Sequence, residues 1–129
     1  NPLYKDGAVQ DKMKEIDTGW NQLMEKWGYR RSGQIYDISP DADRTAVIAV
    51  FCHLGLGNAL ISRITGGALP FIWQTLFLPC SSVTTLYTEV YPPFYDQCHM
   101  RLMGLGDVSH LALAGLETSS SGLHSLVEE

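Results

Sequence analysis

The stretch Val47-Ile48-Ala49-Val50-Phe51-Cys52-His53-Leu54-Gly55-Leu56-Gly57 decides the fold that the sequence predicts. Residues 45–52 form a continuous apolar run, which stops at His53. A continuous apolar run is typical of a strand buried on both faces, as in a parallel sheet covered by helices. Apolar residues at helical spacing follow, until Gly66. We therefore predict an α/β fold with a mainly parallel sheet flanked by helices.

On the amino-terminal side of this stretch the sequence predicts a helix and a hairpin. One apolar stripe at helical spacing runs through residues 8–27 and comprises Val9, Met13, Ile16, Trp20, Leu23, Met24 and Trp27. Gly28 is well placed to end this helix, because glycine adopts the left-handed conformation of a helix terminus. Two short extended arms around Ser32-Gly33 predict a small β-hairpin over residues 29–36.

On the carboxyl-terminal side the pattern predicts one short helix and two strands. Pro70 suits the first turn of a helix that reaches Gln74. Residues 82–90 are rich in β-branched and aromatic side chains and predict a strand, which Pro92-Pro93 ends. Residues 100–105 are its expected antiparallel neighbour. From Leu116 onward the serine-rich sequence predicts a loosely held tail, residues 116–129.

Composition and charge exclude several classes of function. The 129 residues carry 9 Lys and Arg against 14 Asp and Glu, a net charge of −5, with no basic run. Nucleic acid is therefore not an expected partner. The longest apolar stretch, residues 46–52, is far too short to span a membrane. Cys52, Cys80 and Cys98 are odd in number and widely spaced, which favours reduced thiols in a cytoplasmic protein.

His53 is the candidate site residue, since ligands of open α/β sheets bind at the carboxyl ends of strands. The backbone N–H groups of the following turn and helix offer partial positive charge to an anion. An imidazole adds a hydrogen bond, or a full charge when protonated, and the combination suits a phosphate group. The alternative is a histidine that only packs and caps at the end of a strand, and the pattern alone leaves both interpretations open.

Other arrangements of reactive residues are weaker. Cys52-His53 and Cys98-His99 suggest a metal site, but adjacent strand residues point to opposite faces and no metal-ligand spacing occurs. We therefore expect no metal and no cofactor. His110 is expected to be structural, with its side chain hydrogen-bonded at the end of the sheet. A serine nucleophile is not supported, because no Gly-x-Ser-x-Gly elbow is present.

Several segments, in order, resemble the histidine phosphatase superfamily, also called phosphoglycerate mutase-like. Residues 47–55 are similar to its second-histidine motif. The resemblance extends from about residue 1 to 115 and includes Trp27-Gly28-Tyr29, Ile72-Trp73, residues 81–86 and residues 105–111. No single segment is highly specific, but the ordered set is.

The resemblance implies a phosphomonoester hydrolase or phosphomutase that works through a phosphohistidine intermediate. In this family the nucleophilic histidine lies in an Arg-His-Gly turn, and a second arginine and an acidic proton donor also precede the segments matched here. Only the second pocket histidine maps onto this chain, at His53, where it implies contact with the transferring phosphoryl group. Leu54 stands where the family usually has glycine, but its N–H and that of Gly55 stay available for phosphate.

The nucleophile turn itself is missing, because none of the 129 residues forms an Arg-His pair. The chain also begins at Asn1 without methionine. We therefore expect residues 1–115 to be the carboxyl-terminal half of a histidine phosphatase domain, inactive alone. Its expected partners are a phosphorylated small molecule or phosphate, and a missing amino-terminal half, a separate chain or a second copy. The alternative is a non-catalytic phosphate-binding or interaction module that kept the fold and lost the nucleophile.

Overall fold

The computed structural model describes residues 7–123 and contains four helices and four strands within that range. In chain order these are α1 (Gly7–Lys26), β1 (Tyr29–Ser32), β2 (Ile35–Ile38), α2 (Leu54–Thr65), α3 (Leu69–Thr75), β3 (Val83–Tyr91), β4 (Phe94–Asp107) and α4 (Ser109–Leu113). Residues 1–6 and 124–129 lie outside the described part, including the end of the predicted tail.

The four strands form one sheet in the order β1-β2-β4-β3, and every neighbouring pair is antiparallel. The prediction of a mainly parallel sheet flanked by helices is therefore wrong. The sheet is built from two hairpins, β1–β2 and β3–β4, which are joined where Tyr36 pairs with Cys98 and Asp37 with Gln97. Hairpin connections are short and produce antiparallel neighbours, whereas a parallel pair needs a crossover.

The predicted central strand is the physical source of that error. Residues 46–52, which we call the apolar segment, belong to no helix or strand and pair with no strand of the described chain. Val47 is 92% exposed and Phe51 is 96% exposed. A run of apolar residues shows that a segment can be buried, but it does not show that the chain supplies a neighbour to bury it.

The core lies between α1 and the sheet. Its buried members are Trp20, Met24, Tyr29, Tyr36, Ile38 and Cys98. The apolar stripe of α1 places Trp20 and Met24 one turn apart on the face that meets the sheet. The indole N–H of Trp20 donates a hydrogen bond of 2.9 Å to the Tyr36 hydroxyl, so this buried polar pair is satisfied.

The predicted helix and hairpin at the amino-terminal side are confirmed. Helix α1 ends at Lys26, and Gly28 follows with φ +87°, a left-handed conformation. Its position is also closely packed: a Cβ there would lie 2.6 Å from the Cβ of Ala42. Strands β1 and β2 pair from Tyr29–Ile38 to Ser32–Ile35, around a turn that contains Gly33 at φ +65°.

Helices α2 and α3 pack on each other, and α2 also contacts α1 and the β1–β2 hairpin, where the Arg31 guanidinium donates to the Arg63 carbonyl at 3.1 Å. Gly66 ends α2 in a left-handed conformation, with its N–H bonded to the Ser62 carbonyl at 3.0 Å. The Ser62 hydroxyl donates to the Gly67 carbonyl at 2.7 Å, which directs the chain into α3. An ion pair between Arg63 and Asp17 joins α2 to α1. The predicted helices at these positions are confirmed.

The β3–β4 hairpin confirms the predicted antiparallel pair and its turn at Pro92-Pro93. One face of this hairpin, with Leu86, Val90 and Met100, packs against the core. Its other face is open to solvent and carries Tyr87, Tyr91, His99, Arg101 and Met103. After α4, residues 116–123 are exposed and form neither helix nor strand.

Candidate functional site

His53 stands immediately before α2, at the N-cap position. Its backbone is extended, with φ −110° and ψ 165°, and its carbonyl accepts the first helical hydrogen bond from Gly57 N–H at 2.9 Å. The imidazole is exposed and makes no capping hydrogen bond to the helix. The side chain is consequently available to a ligand at this terminus.

The first turn of α2 offers hydrogen-bond donors beside His53. The backbone N–H groups of Leu54 and Gly55 donate no hydrogen bond to any acceptor among residues 7–123. The first four N–H groups of a helix have no acceptor within the helix, and together they carry partial positive charge. No acidic residue lies in the first turn of α2. The local electrostatics therefore favour an anion.

Trp73 of α3 borders the same terminus. A Cβ at Gly55 would lie 3.1 Å from the Cη2 atom of the Trp73 ring, so the glycine permits this close approach. The indole is half exposed and forms an apolar wall beside Gly55. Replacing Gly55 by a larger residue would push against this wall.

One turn into α2, Asn58 fixes the helix on its neighbours. Its side chain is 1% exposed, and its Nδ2 donates to the Leu76 carbonyl at 3.3 Å. The Oδ1 atom is buried and accepts no hydrogen bond within the described residues. Gly57 packs against Leu78, since a Cβ at Gly57 would lie 2.9 Å from the Leu78 Cδ1 atom. These contacts hold the amino-terminal half of α2 against the chain that follows α3.

The three predicted phosphate-binding residues, His53, Leu54 and Gly55, are thus together at one helix terminus. The position of His53 at the carboxyl end of a sheet strand is a wrong prediction, because the preceding apolar segment is not part of the sheet. The expectation for His110 is also wrong. Its side chain is exposed and makes no hydrogen bond to another described residue.

Sequence reasoning did not assign a role to Trp73 or Asn58 at this terminus. The sequence shows a tryptophan in a short helix and a polar residue within an apolar helix. Neither pattern shows that the two helices cross near the first turn of α2. A buried asparagine is the more detectable of the two, because an amide on the apolar face of a helix indicates a specific backbone partner.

Two surface depressions in the described part of the chain do not include His53. The larger, about 760 Å³, lies between the end of α1 and the loop after β2. Its acidic residues are Glu25, Asp37, Asp41 and Asp43, against the bases Lys26 and Arg30. Hydrogen bonds from Ser39 and from Thr45 lower the pKa values of Asp41 and Asp43 respectively, so both carboxylates stay charged. An anionic ligand is not expected there.

The thiols differ in accessibility. Cys52 and Cys80 are exposed, and Cys98 is buried between the sheet and α1. Burial raises the pKa of the Cys98 thiol to about 11, although the positive charge of Arg44 opposes this rise. Over residues 7–123, no three His, Cys, Asp or Glu side chains are grouped to hold a metal ion.

The helices of the described part include none whose length and apolar character would let it cross a membrane. No family model, no curated protein and no solved structure matches the chain.

Proposed function

We propose that this chain binds phosphate groups of phosphomonoesters at the amino terminus of α2, and that His53 contacts the phosphoryl oxygens. The observation that carries the proposal is the unbonded imidazole of His53 beside the free N–H groups of Leu54 and Gly55. Backbone N–H groups at a helix amino terminus bind phosphate through hydrogen bonds and the helix dipole. The imidazole adds a donor that the backbone alone does not provide.

The catalytic form of this proposal is a histidine phosphatase or phosphomutase. In it, His53 stabilises charge on the phosphoryl group while a histidine nucleophile accepts that group. The nucleophile would lie in a polypeptide segment outside these 129 residues, since they contain no Arg-His pair. Cytoplasmic location belongs to the same proposal, and three free thiols fit a reducing compartment.

The absence of an Arg-His pair also favours a second candidate, a phosphate-binding module without hydrolytic activity. The two candidates share the His53 site and differ only in whether a nucleophile reaches it. A chain that binds phosphomonoesters and also hydrolyses them when a segment with an Arg-His-Gly turn is added is an enzyme component. A chain that binds them and never hydrolyses them is a module.

The experiment is a titration of the isotope-labelled chain with inorganic phosphate, followed by amide NMR. We expect the Leu54 and Gly55 resonances to shift with phosphate, and His53→Ala to weaken binding about tenfold, because one charge-assisted donor is lost. His110→Ala is the matched control, since His110 is also exposed and near a helix start, and it should leave binding unchanged. Equal affinity of the His53→Ala variant and the native chain would contradict the proposal.

The catalytic form has a separate test in the assembled enzyme. With the nucleophile segment supplied, His53→Ala should lower turnover about 10²-fold, the effect of losing one transition-state donor. Circular dichroism establishes that the variant is folded. Turnover within a few-fold of the native enzyme would remove His53 from the catalytic machinery and leave the binding result to stand alone.

A further inference from the structure

The apolar segment has the properties of a β-strand without a neighbour. It follows a course with neither turn nor bend from Ala46 to His53. From Val47 to Cys52, no backbone N–H or C=O forms a hydrogen bond with any residue between 7 and 123. Six consecutive peptide groups are therefore free to pair with another strand.

Exposure along the apolar segment alternates as it does along a strand. Val47 and Phe51 are 92% and 96% exposed, whereas Ile48 and Val50 are 36% and 47% exposed. Successive side chains of a strand point to opposite faces, so Val47 and Phe51 share one face and Ile48 and Val50 share the other. The side chains on one face are partly covered by other residues of the same chain, and those on the other face are open to solvent.

The order of side-chain sizes is symmetric about Ala49. Reading outward in both directions, Ala49 is followed by the large Ile48 and Val50, then by the large Val47 and Phe51. The small Ala46 and Cys52 close the series. An antiparallel pair of two such segments places large side chains opposite large ones, and small opposite small. Aromatic and β-branched cross-strand pairs, such as Phe51 with Val47, stabilise a sheet.

Charge also permits this pairing. The apolar segment contains no charged residue. In a pair centred on Ala49, no charged residue therefore lies opposite another within the paired segment. Exposed strand edges without charge or proline recruit further chains.

We infer that the apolar segment pairs with the same segment of a second copy of this chain, antiparallel and centred on Ala49, across a two-fold axis. The interface uses one patch twice, as in most homodimers. The inference rests on the free backbone, the alternation and the size symmetry, and it does not depend on the proposed phosphate site.

A register-specific cross-link tests the pairing. In the inferred dimer, residue 46 of one copy faces Cys52 of the other. The variant Ala46→Cys with Cys80→Ser should therefore form a covalent dimer in oxidised glutathione, because opposite Cβ atoms in a sheet meet disulfide geometry. The matched control is Thr45→Cys with Cys80→Ser, in which the new thiol faces His53. Equal cross-linking of the two variants, or none in either, overturns the inference.

Mass measurement by size-exclusion chromatography with light scattering gives an independent test. The native chain should be a dimer of twice 14.3 kDa at about 100 µM, and dissociate on dilution. Phe51→Lys should weaken self-association at least tenfold. Leu113→Lys, at a position that is 89% exposed on α4, should leave it unchanged. A native monomer, a Phe51→Lys dimer of native affinity, or a complex only with a different polypeptide would each overturn the inference.

Discussion

Cys98 shows how one buried side chain ties two parts of the sheet to α1. Cys98 lies on β4 opposite Tyr36 of β2, and both residues are 1% exposed. The thiol behaves as a small apolar group in the core. Because burial disfavours the thiolate, the pKa of Cys98 rises to about 11 from the ordinary 9.0.

This pKa shift predicts an alkaline loss of stability. Below about pH 9 the Cys98 thiol is neutral in both the folded and the unfolded chain, so its titration does not change the free energy of unfolding. Between pH 9 and about 11 the unfolded chain loses this proton and the folded chain keeps it. The free energy of unfolding therefore falls across this window.

The measurement is urea unfolding of the native chain and of Cys98→Ala between pH 7 and 11. Other groups titrate in the same window, so the difference between the two proteins isolates the thiol. The Cys98→Ala variant should lose less stability on going from pH 9 to 11 than the native chain does. Parallel curves for both proteins would show that the thiol ionises freely in the folded state.

At the scale of elements, the turns depend on two glycines that differ in one respect. Gly28 and Gly33 both have positive φ, but a Cβ at Gly28 would collide with Ala42 while one at Gly33 meets open space. Gly33→Ala should cost about 1–2 kcal/mol, the penalty of a left-handed conformation. Gly28→Ala should cost about 1–3 kcal/mol more, because of overpacking against the loop.

Urea unfolding of the two single variants provides this comparison, and each serves as the control for the other. Both substitutions carry the same conformational penalty, so only the contact with Ala42 separates them. If Gly33→Ala proved as destabilising as Gly28→Ala, the packing of the loop after β2 against the end of α1 would not be as described.

Sequence patterns predicted the elements that depend on neighbouring residues. The stripe of Trp20 and Met24, the turn at Gly33 and the hairpin at Pro92-Pro93 are local features, and they form as expected. The joining of β2 to β4 could not be predicted, because Tyr36 and Cys98 are brought together only by packing on α1. The prediction of a mainly parallel sheet was wrong because strand pairing depends on two segments, and the pattern in residues 46–52 describes only one of them.

The candidate site shows the same division. The glycines and the apolar spacing after His53 predict a turn and then a helix, and α2 begins at Leu54, but the strand expected before His53 does not form. The Trp73 wall could not be predicted, since it depends on how α3 crosses α2. Sequence patterns therefore place together the residues joined by chain continuity and miss those brought there by packing, and the binding of phosphate by His53, Leu54 and Gly55 stays a prediction.

At the scale of the whole molecule, protection by hydrogen bonds is unevenly distributed. The sheet and α1 enclose the core, while residues 47–52 are all exposed and form no backbone hydrogen bond within the described part of the chain. A segment with neither burial nor backbone hydrogen bonds fits a protease active site without prior unfolding. At protein concentrations low enough for the inferred dimer to dissociate, we expect chymotrypsin to cleave first after Phe51.

Mass spectrometry of brief digests would identify this first cut. Phe71 is the internal control, because its side chain is 65% exposed but lies within α3. Cleavage after Phe71 should be much slower. A first cut within α3 or β4, with the bond after Phe51 intact, would mean that residues 47–52 are protected in the folded chain.

The peptide bond between Cys52 and His53 has a further thermodynamic consequence. Pairing of residues 46–52 would restrict the backbone torsions next to the imidazole, and an anion held by His53 would restrict the same torsions from the other side. Each event then lowers the conformational entropy that the other still has to remove. By reciprocity, phosphate would strengthen pairing by the same factor by which pairing strengthens phosphate binding. Phosphate concentration would thus shift the assembly equilibrium of this chain from a site that adjoins the paired segment.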